Sequence, residues 1–116
     1  MLKKKLRVKK RNDFQNVFEN GFVFFGKYLR IKFIINNLQY SRISVVIPKK
    51  NIKFANKRNR IKRQIGEIVR LEYNKIKSGY DILVFYNNKE EKIKYDDLNH
   101  DFNFILNNSK LLKNIE

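Results

Sequence analysis

The sequence predicts one α+β sandwich, a small sheet packed with helices, in the order helix, strands, helix, strand, helix. Three observations carry this. Residues 28–35, 42–47 and 80–86 read as strands, and stretches near 12–19, 57–75 and 96–112 carry helical spacing. The 116 residues, 42% hydrophobic with ten Phe and six Tyr, suffice for one core and are too few for two. One Pro and four Gly leave little room for long irregular segments, and no repeat or linker interrupts the chain, so 1–116 reads as a single domain.

The first helix opens around Asn12, Asp13 and Gln15, with Asn12 as the expected N-cap, and runs to about Glu19 before Gly21. Phe14, Val17 and Phe18 share one of its faces. A weaker strand falls at residues 22–25. In residues 28–35, Leu29, Ile31 and Phe33 alternate with Tyr28, Arg30 and Lys32, which marks a strand with one buried and one polar face. Asn36 and Asn37 turn the chain, and residues 42–47 form a second clear strand, ended by Pro48. The long helix over about 57–75 has Ile61, Ile65, Ile68 and Val69 as its apolar stripe. Ser78 and Gly79 break it, and residues 80–86, rich in β-formers, make a further strand. After a polar loop, a last helix from about Asp96 to Leu112 turns Leu98, Phe102, Ile105 and Leu106 to the core, with Asp96 and Asp97 at its start, where the helix dipole favours acids.

Charge narrows the function. Lys and Arg total 27 against 11 acids, a net charge of +16, which attracts polyanions. Residues 1–11 hold seven bases and no acid, residues 49–63 hold eight bases and no acid, and residues 80–116 hold five bases and seven acids. One side of the molecule is thus expected to face a polyanion, and the C-terminal part to be ordinary solvated surface. Cysteine is absent, which excludes thiolate nucleophiles and Cys-based zinc sites and fits a reducing cytoplasm. No apolar run approaches the roughly 20 residues that a membrane span needs.

On a helical wheel at about 100° per residue, the isoleucines of the long helix point one way. Asn59, Lys62, Arg63, Gly66 and Arg70 lie opposite or flanking, with Arg58 and Arg60 beside the first turn. Arginine grips phosphate bidentately and stacks on bases, and the helix N-terminus adds partial positive charge. Asn59 can contact a sugar or base edge and can also cap the first turn. Gly66 in mid-polar-face either admits an RNA backbone or marks a tolerant position. Phe14 and Phe18 have two open roles, packing for a short helix and stacking of single-stranded bases beside Tyr28, Arg30 and Lys32.

Lys49-Lys50, then Ala55, then Arg58-Asn59-Arg60-Ile61-Lys62-Arg63 resembles the signature of the bacterial ribonuclease P protein family. The basic start with Asp13-Phe14-Gln15-Asn16-Val17-Phe18 before Gly21, and Tyr80-Asp81-Ile82, resemble that family's flanking elements, so the resemblance spans about residues 5–112. It implies an α-β-β-β-α-β-α sandwich with a left-handed βαβ crossover, related to a fold found among ribosomal proteins. It implies a catalytic RNA partner, precursor tRNA as substrate, and removal of the 5′ leader by metal-ion hydrolysis run by the RNA. Mg2+ would be held mainly by RNA and substrate, the protein alone would be inactive, and no residue of the chain would be catalytic. Lys49, Lys50, Arg58, Asn59, Arg60, Lys62 and Arg63 would contact RNA, joined by Arg70 from the wheel. Phe14 and Phe18 would line the leader cleft, with Tyr28, Arg30 and Lys32 completing it. A cytoplasmic location, no membrane partner and no small-molecule substrate follow from the same resemblance. The chain departs from the family pattern at Lys32, Pro48, Asn51-Ile52-Lys53, Gly66 and Asn87.

Two other functions fit parts of the sequence. A ribosomal or ribosome-assembly protein shares the charge and size. A metal nuclease built on Asp96, Asp97, His100 and Asp101 would need converging carboxylates, and Asp97 and Asp101 share a helix face.

Overall fold

A computed structural model describes residues 2–113. In chain order the elements are α1 (Arg11–Asn20), β1 (Phe22–Phe25), β2 (Leu29–Ile35), β3 (Arg42–Val46), α2 (Ala55–Glu72), β4 (Tyr80–Tyr86) and α3 (Tyr95–Ser109), with short 3-10 turns at Lys4–Leu6 and Tyr73–Lys75. This is the expected α-β-β-β-α-β-α order. The sheet runs β1-β2-β4-β3. The β1/β2 and β2/β4 pairs are antiparallel, and β3 lies parallel to β4 with α2 as the crossover between them.

Strand alternation assigns each side chain to a face. Leu29, Ile31, Phe33, Ile43, Ile82, Val84 and Tyr86 join the stripe of α2 and Leu98, Phe102, Ile105 and Leu106 of α3 in the main core. On the other face, Leu83 and Phe85 join Val8 and Val17 in a smaller cluster, with Phe14, Ile34 and Val46 at its margin. β4 is buried on both faces beyond Tyr80, which is why residues 82–86 carry no polar alternation.

Local chemistry moves several boundaries. Asn12 is not the N-cap of α1; Lys10 is, with extended backbone and no side-chain bond, so Asn12 sits in the first turn. Gly21 ends α1 by close approach, since a Cβ there would lie 2.5 Å from the Val17 carbonyl oxygen and 3.1 Å from that of Phe33. The cap of α2 is Phe54, again without a side-chain bond, and Asn59 therefore lies a full turn too late to cap it. α3 stops at Ser109, ahead of the expected Leu112.

Asp101 of α3 fixes the β1–β2 turn. Its carboxylate accepts the backbone N–H groups of Lys27, Tyr28 and Leu29 at 2.7, 2.9 and 2.9 Å. Gly26 is required beside it, because a Cβ would stand 2.5 Å from both carboxylate oxygens.

Candidate nucleic-acid interface

Burial of Ile61, Ile65, Ile68 and Val69 forces the opposite side of α2 outward, and Asn59, Arg60, Lys62 and Arg63 are all exposed. The helix start is held from both sides. Lys57 pairs with Glu91 at 2.5 Å, Arg60 Nη2 donates to the Glu91 carbonyl at 3.0 Å, and Gln64 donates to that of Ile93. Arg58 turns back and donates to the carbonyls of Ile52 and Lys53 at 3.0 and 2.7 Å. Arg58 therefore braces the loop before the helix more than it reaches outward. In that loop Asn51 donates to the Tyr86 carbonyl and Ile52 is fully buried. The same turn leaves Lys49 and Lys50 exposed.

Besides Arg58, two expected members of this surface differ. Arg70 is committed to Glu67, one turn earlier, through both Nε and Nη2 at 3.1 and 2.6 Å. Hydrogen bonding to Arg70 holds the Glu67 carboxyl below its usual range. Gly66 is buried, not on the wet face; with Lys62 and Val69 it lines a cleft of about 240 Å3 against β3 and the N-terminal segment. Its wheel position falls on the flank of α2 that meets β3, and Arg7, Val8 and Lys9 close the other wall. The buried Arg7 Nε has no hydrogen-bond partner there.

The second surface lies between α1 and the sheet. Val17 is fully buried beneath α1, whereas Phe18, one residue on, is 49% exposed. The Phe18 ring meets Phe85 edge-on at 6.2 Å, and Lys32 Nζ sits 3.9 Å from the Phe18 ring centre. Lys32 also donates to the Phe18 carbonyl at 2.9 Å, placing a cation at the C-terminal end of α1, where the helix dipole favours it. The Arg30 guanidinium lies 4.5 Å from the centre of the Phe85 ring. Phe14 is half-buried, and with Lys9, Arg11, Gln15, Phe18 and Glu19 it lines an open groove of about 460 Å3 along α1. Phe14 thus serves both packing and groove, while Phe18 mostly faces the groove.

Tyr28 does not join Arg30 and Lys32. It precedes β2, donates its N–H to Asp101 and packs against the main core on the other face. Phe85 forms the buried floor beneath Phe18 and Arg30, a place that residues 80–86 did not reveal, because an unbroken apolar strand hides which residue faces which side. A clamp was also unforeseen. Arg42 bonds Asp81 at 2.6 and 2.8 Å and reaches Asp13 of α1 at 3.3 Å, and these contacts, the Asp81 hydrogen bond first, raise its pKa.

Among the described residues no group of three or more His, Cys, Asp or Glu side chains could hold a metal ion. Both oxygens of Asp101 are engaged by backbone N–H groups, which removes the residue that the metal-nuclease arrangement needs. No described helix is long and apolar enough to cross a membrane.

The family model described as Ribonuclease P matches residues 2–110. The chain belongs to the ribonuclease P protein family. The ribonuclease P protein component of Fusobacterium nucleatum is 41% identical over 109 residues, covering 90% of this chain and 97% of the relative. That of a Pseudanabaena species is 36% identical, with 97% of each chain covered. Among solved structures, the RNase P protein from Thermotoga maritima superposes with a TM-score of 0.75 at 30% identity, covering 95% of this chain and all of that one. The Staphylococcus aureus RNase P protein reaches a TM-score of 0.82 at 23% identity, a likeness of fold. A ribonuclease P protein acts in tRNA processing, and this membership displaces the ribosomal alternative.

Proposed function

We propose that this chain binds the catalytic RNA of ribonuclease P through α2 and the Lys49-Lys50 turn, and binds the 5′ leader of precursor tRNA in the cleft between α1 and the sheet. The observation that carries the reading is the cluster of Phe18, edge-on to Phe85, with Lys32 against the Phe18 ring and Arg30 against the Phe85 ring. Two cations and one half-exposed ring, Phe18, stand on this sheet face with Phe85 buried beneath them, and an exposed ring among cations is the chemistry that holds single-stranded RNA without strict sequence readout. The α2 surface differs in kind. Asn59, Arg60, Lys62 and Arg63 stand on the exposed side of one helix, which suits phosphates of a folded RNA.

In this reading the protein positions RNA, and hydrolysis belongs to the RNA partner. Among the described residues no cluster of carboxylates offers a Mg2+ site; in this reading Mg2+ is held by RNA and substrate, and no protein residue is given a catalytic step. The setting is the cytoplasm. The test is cleavage of precursor tRNA at low magnesium by a bacterial ribonuclease P RNA, with and without the protein. The protein alone is expected to be inert and to restore 5′ processing by the RNA. Unchanged RNA activity, or cleavage by the RNA-free protein, refutes the proposal.

A further inference from the structure

The sheet register places four side chains in one row across the cleft face. Phe25 of β1 is paired with Arg30 of β2, Arg30 with Phe85 of β4, and Phe85 with Val46 of β3. Directly paired residues share a face, with Cβ atoms about 5 Å apart. The row therefore begins at Phe25 on the sheet edge and continues to Phe85, against which Phe18 also packs.

We propose that Phe25 and Arg30 form an additional base-stacking position at the β1 edge, so that the cleft engages a longer stretch of single-stranded RNA than Phe14 and Phe18 hold alone. The inference rests on the leader-binding reading above and extends it to residues outside the family signature.

Three observations support it. Phe25 is 62% exposed on a face whose neighbouring strand presents Arg30 and Lys32. The other phenylalanines of β1, Phe22 and Phe24, lie on the opposite face, away from Arg30 and Lys32, and contact the Phe33 ring at 5.9 and 6.0 Å, although Phe22 is itself 70% exposed there. Phe25 is in no aromatic pair among the described residues. Finally, Arg30 is already held against Phe85, so a planar cation is in place beside Phe25 before any ligand arrives. A flat apolar ring next to a fixed cation is what an unpaired base and its phosphate require.

The experiment reconstitutes the holoenzyme with ribonuclease P RNA and measures affinity for precursor tRNAs whose leaders lengthen one nucleotide at a time. Phe25→Ala, Phe25→Leu, Phe25→Tyr and Phe18→Ala are compared, with thermal melting of each variant as a check on folding. Phe25→Ala is expected to reduce the long-leader to short-leader affinity ratio about tenfold. Phe25→Tyr should restore it, and Phe25→Leu should not. A ratio unchanged in Phe25→Ala while Phe18→Ala weakens leader binding overturns this inference and leaves the leader cleft standing. Silence of both variants overturns the leader cleft itself. Full rescue by Leu, equal loss at every leader length, or a change confined to self-association in sedimentation also overturns the stacking role.

Discussion

The two faces of this one sheet are finished differently. Against α2 and α3, Leu29, Ile31, Ile82, Val84 and Tyr86 are each at most 1% exposed. Against α1, burial is complete only for a handful of side chains, and the cations of β2 stay near solvent with Phe18 over them. Two long amphipathic helices close a face, whereas one helix of ten residues closes part of one. Stability is thus concentrated on the face of α2 and α3, and the uncovered remainder of the other face becomes available to a ligand.

The comparison can be broken by mutation. Phe102→Ala, in the closed core, should cost about 3–5 kcal/mol in urea or thermal unfolding, while Phe18→Ala should cost under about 1 kcal/mol, as surface substitutions do. Similar losses for the two would erase the distinction. Arg42→Ala probes an exception on the α1 side, because it removes the charge partner of the nearly buried Asp81 carboxylate and leaves it the Asn36 amide, which donates to Oδ1 at 2.9 Å. A loss of about 3 kcal/mol is expected, measurable by the same unfolding experiment, and a neutral result would mean the clamp does not hold α1.

Smaller effects separate the two binding surfaces. Phe18→Ala should weaken leader-bearing precursor tRNA by about 1–3 kcal/mol and leave leaderless tRNA unchanged in equilibrium binding. Lys62→Ala or Arg63→Ala should weaken the RNA complex whatever the leader, and should lower the slope of log K against log salt by about one unit. The smallest effect concerns the closed face alone. Burial pushes the Tyr86 phenol from 10.0 up to about 12, with Glu90 adding to the shift. The folded chain then holds that proton more tightly than the unfolded chain. Its contribution is complete below pH about 10 and is lost as pH rises to about 12. Tyr86→Phe should flatten the alkaline limb of a stability–pH curve, and an unaltered limb would place the titration elsewhere.

Much of this was legible in the sequence because the responsible signals are local. The isoleucine spacing of α2 dictated its exposed basic side, and the strand at 80–86 was read to its ends. What escaped depends on distant partners or on competition between near ones. Asp101 looked like a helix-face acid until the β1–β2 turn, more than seventy residues earlier, was seen to use both its oxygens. Tyr28 matched the polar alternation of β2, yet that same turn draws it to the other side. Arg70 counted as a free base although Glu67 stands three residues before it, a spacing that brings the two side chains within reach on a helix. Gly66 required knowing that the N-terminal segment folds back beside α2.

The Asp101 bridge also bears on the order in which the chain can mature. A ribosome releases the turn at Lys27–Leu29 long before it has made residue 101, so three of that turn's amides wait for an acceptor until most of the polypeptide exists. The β1–β2 turn, which carries one end of the cleft, therefore gains its native acceptor only once α3 is in place, and a nascent chain cut short of α3 would present the cations and phenylalanines of this hairpin without the Asp101 brace.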